Sequence, residues 1–193
     1  GWYVGIASVG YKWDESALRE WQQQNIAFFP AFPLLMRAGG RLIGDRPVIA
    51  GQLLSLIAFL AALVYLFRLA REALDHRAPA SALALLAAYP FAVFFSAIYT
   101  ESLFLLSAVA AFYHFHRGEY GRASAWGLLA GLSRPNGALL SVALAVLAVQ
   151  TWKRASGAPS RIRSLAAAAA PGIGMMLFSG YLYSLTGRPF AWM

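Results

Sequence analysis

The segment 89–101, YPFAVFFSAIYTE, runs through apolar residues into a polar turn, Tyr99-Thr100-Glu101-Ser102, and a second apolar run over 103–115 follows at once. Burying a carboxylate between two apolar arms is costly. Within a membrane such an acid faces a bundle interior or a wet cavity and takes a partner. A second polar turn, Ser133-Arg134-Pro135-Asn136-Gly137, interrupts apolar sequence further along. One hairpin tip with a buried acid and another with a buried base point to a site inside a membrane protein.

The chain is 60% hydrophobic and 12% charged, with a mean hydropathy of +0.57. Soluble domains are about 45–50% apolar and about 25% charged, so an all-α, polytopic membrane protein is expected. The net charge of +8 does not indicate nucleic acid, because the basic residues sit in short loops between apolar runs. With no cysteine, a disulfide framework and a thiolate metal site are both excluded.

The sequence divides into an outer loop over 1–46, a span over 47–69, a helical hairpin over 78–115, a shorter hairpin over 123–151 and a last span over 164–185. Trp2, Tyr3, Tyr11, Trp13 and Trp21 suit a membrane interface, and one or two short interfacial helices are expected there. The chain opens on Gly1 rather than methionine and closes just after an apolar span, so it is expected to be a single transmembrane-domain fragment of a longer protein. Nine of the sixteen Lys and Arg, with three of the eight acids, fall in 68–77, 117–122 and 153–163. Placing those loops in the cytoplasm puts residues 1–46, both hairpin tips and the 186–190 turn outside. The arms of the two hairpins have about 19 and about 15 residues, or about 28 and 22 Å of helix. Neither tip can rise far above the outer surface. Polar, irregular backbone at that depth must be buried in protein or line a cavity, so a cavity open to the outer face is expected near Glu101 and Arg134.

Each candidate residue has a functional and a structural reading. Glu101 can bind a polar substrate or position a cation, or it can simply favour the first turn of a helix begun by Tyr99 or Thr100. Arg134, with Asn136 nearby, offers a planar fork for phosphate oxygens. Alternatively, Pro135 and Gly137 break the helix and Arg134 snorkels to water, or Arg134 pairs with Glu101. Phe29 and Pro30, candidates for substrate binding, belong to Phe28-Phe29-Pro30-Ala31-Phe32-Pro33, whose structural reading is an interfacial anchor entering a short helix. Asp14, Glu15 and Glu20 read as solvated carboxylates, and Asp45 as a helix N-terminal acid. His114 and His116, two residues apart, do not share a helix face as metal ligands would. No glycine-rich phosphate loop is present.

NIAFFPAFPLLMR, FFSAIYTESLFLLSAVAAF and GLLAGLSRPNGALL, in that order, resemble the PIG-V-type mannosyltransferases. That group includes the second mannosyltransferase of GPI-anchor synthesis and its bacterial relatives. YTES-LF and SRPNG are its most specific segments. The resemblance implies a GT-C-like helical bundle, a glycosyltransferase that takes mannose from a polyprenyl-phosphate donor. The acceptor hydroxyl, on a glycan, lipid or protein, lies at the outer or lumenal face, and the anomeric centre inverts. It implies an integral membrane location, in a bacterial cell membrane or in the endoplasmic reticulum. The catalytic Asp of such enzymes lies in the first outer loop, within a W-D-x-x-W-Y pattern followed by G-Y. Gly1-Trp2-Tyr3 and Gly10-Tyr11 match its later part, so the Asp is expected just ahead of Gly1. Arg134 would then stabilise the leaving phosphate, while Tyr99 and Glu101 bind sugar hydroxyls or orient the loop. No bound cofactor is implied, and the sparse candidate ligands leave a divalent metal requirement open. A related transferase of another sugar, a transporter or flippase lined by Glu101 and Arg134, and a non-catalytic subunit are the alternatives. A transporter is expected to show repeated halves, and the sequence contains no internal repeat.

Overall fold

The computed structural model describes residues 1–16, 22–73, 78–152 and 158–193. Among them are eight α-helices: α1 Trp2–Val9, α2 Ala31–Leu42, α3 Pro47–Ala73, α4 Ala78–Ala87, α5 Glu101–His116, α6 Tyr120–Ser133, α7 Leu140–Trp152 and α8 Ala158–Thr186. Short 3-10 turns cover Asn25–Ala27, Ala92–Phe95 and Pro135–Leu139, and no strand occurs among the described residues. The protein is all-α. Among the described residues, three segments are long and apolar enough to cross a membrane: Pro47–Ala73, Pro135–Trp152 and Ser160–Thr186.

The distribution of side-chain size fits a lipid solvent. On α3 the buried face is small, with Gly51, Ser55, Ala58 and Ala62 at helical spacing, whereas Leu53, Ile57, Leu60 and Val64 are exposed. Lipid gives no hydrophobic drive to bury large side chains, so close packing of small residues holds such helices together. Leu106 of α5 fills the shallow face made by Ala58 and Ala62. The first half of α8 repeats the pattern, with Ala167, Ala168 and Ala170 buried and Ile162 and Leu165 exposed, whereas its second half buries Phe178 and Leu182. α8 crosses α6 where Gly127 and Gly131 meet Pro171, and a Cβ at Gly131 would overlap the Pro171 carbonyl.

The first hairpin departs from two plain helical arms. Its descending arm is helical only over Ala78–Ala87, and 88–100 is irregular apart from the turn Ala92–Phe95. Pro90 supplies the break, since proline disfavours helix at the residue before it and donates no backbone bond. Side chains hold the irregular stretch in place: Gln52 of α3 donates to the Ser96 carbonyl, Phe59 stacks on Phe95 at 5.0 Å, and Ser102 donates to the Phe95 carbonyl. In the first loop, α1 and α2 are short helices, and α2 also buries Phe32 and Met36 against Leu103 and Ala7.

At the opposite end, the loop between α5 and α6 makes a charge cluster. Glu119 accepts from His114 Nδ1 at 2.7 Å, Arg122 Nη1 at 2.9 Å and Arg117 Nε at 3.2 Å. Arg117 also bonds Glu72 at the end of α3 at 2.9 Å, and His114 Nε2 lies 3.1 Å from the Tyr65 hydroxyl. His114 is thereby engaged in joining α3, α5 and α6. The hydrogen bonds from His114, Arg122 and Arg117 hold the Glu119 carboxyl at about 2, well below the usual carboxylate range. Because its pKa is depressed, Glu119 stabilises the fold above its unfolded value and loses that contribution as pH falls toward 2. Glu119→Gln is therefore expected to flatten the acid arm of a thermal-midpoint-versus-pH profile between about pH 4.5 and 2. An unchanged acid arm would remove Glu119 from this role.

Candidate functional site

Glu101 and Arg134 meet at the end of the bundle away from that cluster. α5 begins at Glu101, and its N-cap Thr100 is buried. The Thr100 side chain makes no capping bond. It lies instead beside the Tyr3 hydroxyl of α1, where the first loop meets the hairpin tip. The second tip is set by Pro135. The residue before a proline is pushed to extended backbone, and Arg134 has φ −157° and ψ 152°. This ends α6 and turns the arginine side chain toward α5. Pro135 then starts the 3-10 turn, and Gly137 lies so close to the end of α6 that a Cβ there would overlap the Ala130 carbonyl.

Arg134 Nη1 donates to Glu101 Oε1 at 3.0 Å, joining residues 33 positions apart. Pairing with Glu101, one of the sequence alternatives for Arg134, is present. The guanidinium also lies 6.0 Å from the Phe104 ring centre. Its side chain stays 37% exposed, so donors remain for a further acceptor. The second carboxylate oxygen, Glu101 Oε2, is buried and has no hydrogen-bond partner among the described residues. An orphaned carboxylate oxygen beside a partly free guanidinium is costly unless something else satisfies it.

Aromatic residues border the pair. Tyr99 is 46% exposed and meets Tyr3 edge-on at 6.4 Å and Phe94 at 5.6 Å. Burial raises the Tyr3 phenol, with the Glu101 charge adding to the rise and Thr100 and Arg134 opposing it. Tyr3 is thus a neutral hydroxyl beside the ion pair. Asn136 is exposed on the 3-10 turn that follows Arg134.

Phe29 is placed differently. It is buried in a core cluster with Phe178 and Leu182, 4.7 Å from the Phe178 ring and 5.5 Å from Trp192. Pro30, the N-cap of α2, lines a cavity of about 340 Å³ with Tyr11, Arg37, Leu132 and Tyr181. Asp14 accepts from the Ser16 backbone and hydroxyl at 2.9 and 2.6 Å, Glu15 is exposed, and Asp45 sits in left-handed backbone with φ 56° before α3. Glu20 lies outside the described residues. Sequence reasoning missed Tyr3 and Thr100 at this site. The one signal for Tyr3 is its place in Gly1-Trp2-Tyr3.

α5 has 16 residues and α6 has 14, about 24 and 21 Å of helix, each shorter than a hydrocarbon core of about 30 Å.

Residues 2–155 match the family described as Mannosyltransferase (PIG-V). The chain belongs to that family. The match covers well over half of the 193 residues and includes both hairpin tips. No curated protein and no solved structure matches the chain. Membership in the PIG-V family makes this a glycosyltransferase chain, with mannose the sugar that the family transfers.

Proposed function

We propose that this chain forms the donor-binding part of a multi-pass, GT-C-type membrane mannosyltransferase, with the Arg134–Glu101 pair at the floor of a cavity open to the outer or lumenal face. The observation that carries it is the pair itself: a partly exposed guanidinium held at 3.0 Å by a carboxylate whose other oxygen is buried and has no partner among the described residues. The donor is a polyprenyl-phosphate mannose. Arg134 uses its remaining N–H groups on the phosphate, and Glu101 holds the guanidinium in place. Glu101 Oε2 and the Tyr99 and Asn136 side chains meet sugar hydroxyls.

An acceptor hydroxyl loses its proton to a carboxylate, the Asp that the family pattern places ahead of Gly1. The acceptor oxygen then forms a bond to the anomeric carbon while the bond from that carbon to the phosphate oxygen breaks. The electron pair leaves with the polyprenyl phosphate, and one displacement inverts the centre. Negative charge grows on the leaving phosphate, so a fixed guanidinium there stabilises the transition state more than the ground state.

Glu101→Gln separates positioning from simple structure. It keeps the shape and one oxygen but drops the charge that fixes Arg134. The full-length protein carrying it is expected to show kcat/KM for lipid-linked mannose reduced about tenfold or more, with its thermal midpoint close to the parent's. A variant with parental kcat and KM would remove Glu101 from the site.

A further inference from the structure

The basic end of the bundle contains a cavity apart from Glu101 and Arg134. A cavity of about 770 Å³ opens between the α5–α6 loop and the start of α8, with Gly118, Glu119, Arg122, Ser160, Arg163 and Ala166 among its walls. It lies with the charge cluster at the far end of α5 and α6 from Glu101 and Arg134. The volume is that of an ordinary small-ligand site.

Charge in this region is unevenly matched. The carboxylates Glu72 and Glu119 are both taken up, Glu72 by Arg117 and Glu119 by His114, Arg117 and Arg122. Arg163 is exposed and makes no ion pair among the described residues. The Ser160 hydroxyl likewise has no hydrogen-bond partner among them, whereas Ser124 already donates to the Tyr120 carbonyl. Among the described residues, the cavity therefore offers one guanidinium without an ion pair, a second shared with Glu119, and a hydroxyl without a hydrogen bond. Its one acid, Glu119, is held ionised by three donors.

Position selects the kind of anion. Ser160–Thr186 is a candidate span, so Ser160 and Arg163 stand at its first turn, where headgroups lie. Exposed Ile162 precedes the cavity-lining Ala166 by one helical turn on the same face, and Leu165 is exposed beside it. A cation and a hydroxyl flanked by exposed aliphatic side chains match an amphiphile whose head is a phosphodiester. Basic pockets between membrane helices hold such headgroups.

We infer that the cleft between the α5–α6 loop and α8 binds the phosphate headgroup of an anionic membrane lipid, with Arg163 as its main contact. The site anchors the basic end of the bundle and is independent of the donor site.

The test uses the full-length protein in nanodiscs of phosphatidylcholine alone or mixed with phosphatidylglycerol, reading retained phosphatidylglycerol by native mass spectrometry and the thermal midpoint. The parent is expected to retain phosphatidylglycerol and to melt higher in the mixed discs. Arg163→Gln is expected to weaken retention about tenfold or more, beyond the roughly fivefold that one diffuse surface cation accounts for, and to abolish the midpoint rise, with Arg163→Lys recovering part of both. Arg161→Gln removes a charge from the same helix outside the cavity and is expected to weaken retention by no more than that roughly fivefold. Equal losses from Arg161→Gln and Arg163→Gln would reduce the effect to diffuse surface charge and overturn the site. So would a parent that melts alike in both discs. Inorganic phosphate, added to phosphatidylcholine discs, distinguishes the source: a midpoint rise with phosphate and none with phosphatidylglycerol would reassign the cleft to a soluble phosphorylated ligand.

Discussion

Arg134→Ala is expected to lower mannose transfer by about 10²–10³-fold, the loss seen when one fixed donor to a developing negative charge is removed. The geometry argues for so large an effect. Arg134 is aimed by Pro135, held by Glu101 at 3.0 Å and backed by the Phe104 ring. A guanidinium placed this way needs no reorganisation when charge moves onto the leaving phosphate. Arg134→Lys keeps the charge but loses the planar fork, so it is expected to restore only part of the rate. Arg134→Ala should also leave the part-buried Glu101 carboxylate without its cation, and a modest fall in thermal midpoint is expected alongside. Full activity in Arg134→Ala would exclude the phosphate-binding role. A loss restored completely by lysine would leave only a role for the positive charge.

The second large effect is on the fold. Gly131→Val is expected to cost on the order of 3 kcal/mol or more, the range of severe overpacking in a tight core. At this crossing a Cβ would overlap a backbone carbonyl, Pro171 O, which cannot swing aside as a side chain can. The neighbouring contacts reinforce one another, because a Cβ at Gly174 of α8 would run into the Leu128 carbonyl of α6. The helices must separate, and α6 carries Arg134 at its end, so transfer should fall with stability. Gly180→Ala, where an added Cβ meets nothing within 4 Å, is the matched control on α8. Thermal unfolding in detergent checks both. Equal midpoints for Gly131→Val and the parent would show that the α6–α8 crossing has room that its geometry denies.

The two poles of the candidate site were legible in the sequence because charge is expensive in apolar surroundings. Glu101 and Arg134 stand out as polar breaks in apolar arms, and their turn residues mark them as tips. Their pairing was only one of several options, since contact across 33 residues depends on how α5 and α6 pack. Tyr3 was less legible still. An aromatic residue in a first loop reads as an interface residue, and only tertiary structure brings its hydroxyl to Thr100. Phe29 shows the converse: its proline-flanked setting reads as an anchor at the membrane surface, yet α8 covers it with Phe178 and Leu182. The extent of the break over 88–100 was also hidden, because its apolar composition matches a helix arm and Pro90 alone marks the stop. The Gly131 crossing left no local sign, as Gly127 and Gly131 become a packing face only when Pro171 lies against them.

The most direct test of the central claim is sugar transfer by the full-length protein in proteoliposomes, with labelled polyprenyl-phosphate mannose and a lipid acceptor extract. The account predicts that label moves from donor to acceptor in the parent and that Arg134→Ala nearly abolishes the movement in a sample that still folds. A folded parent that leaves all label on the donor, whichever polyprenyl-linked sugar is supplied, would contradict it.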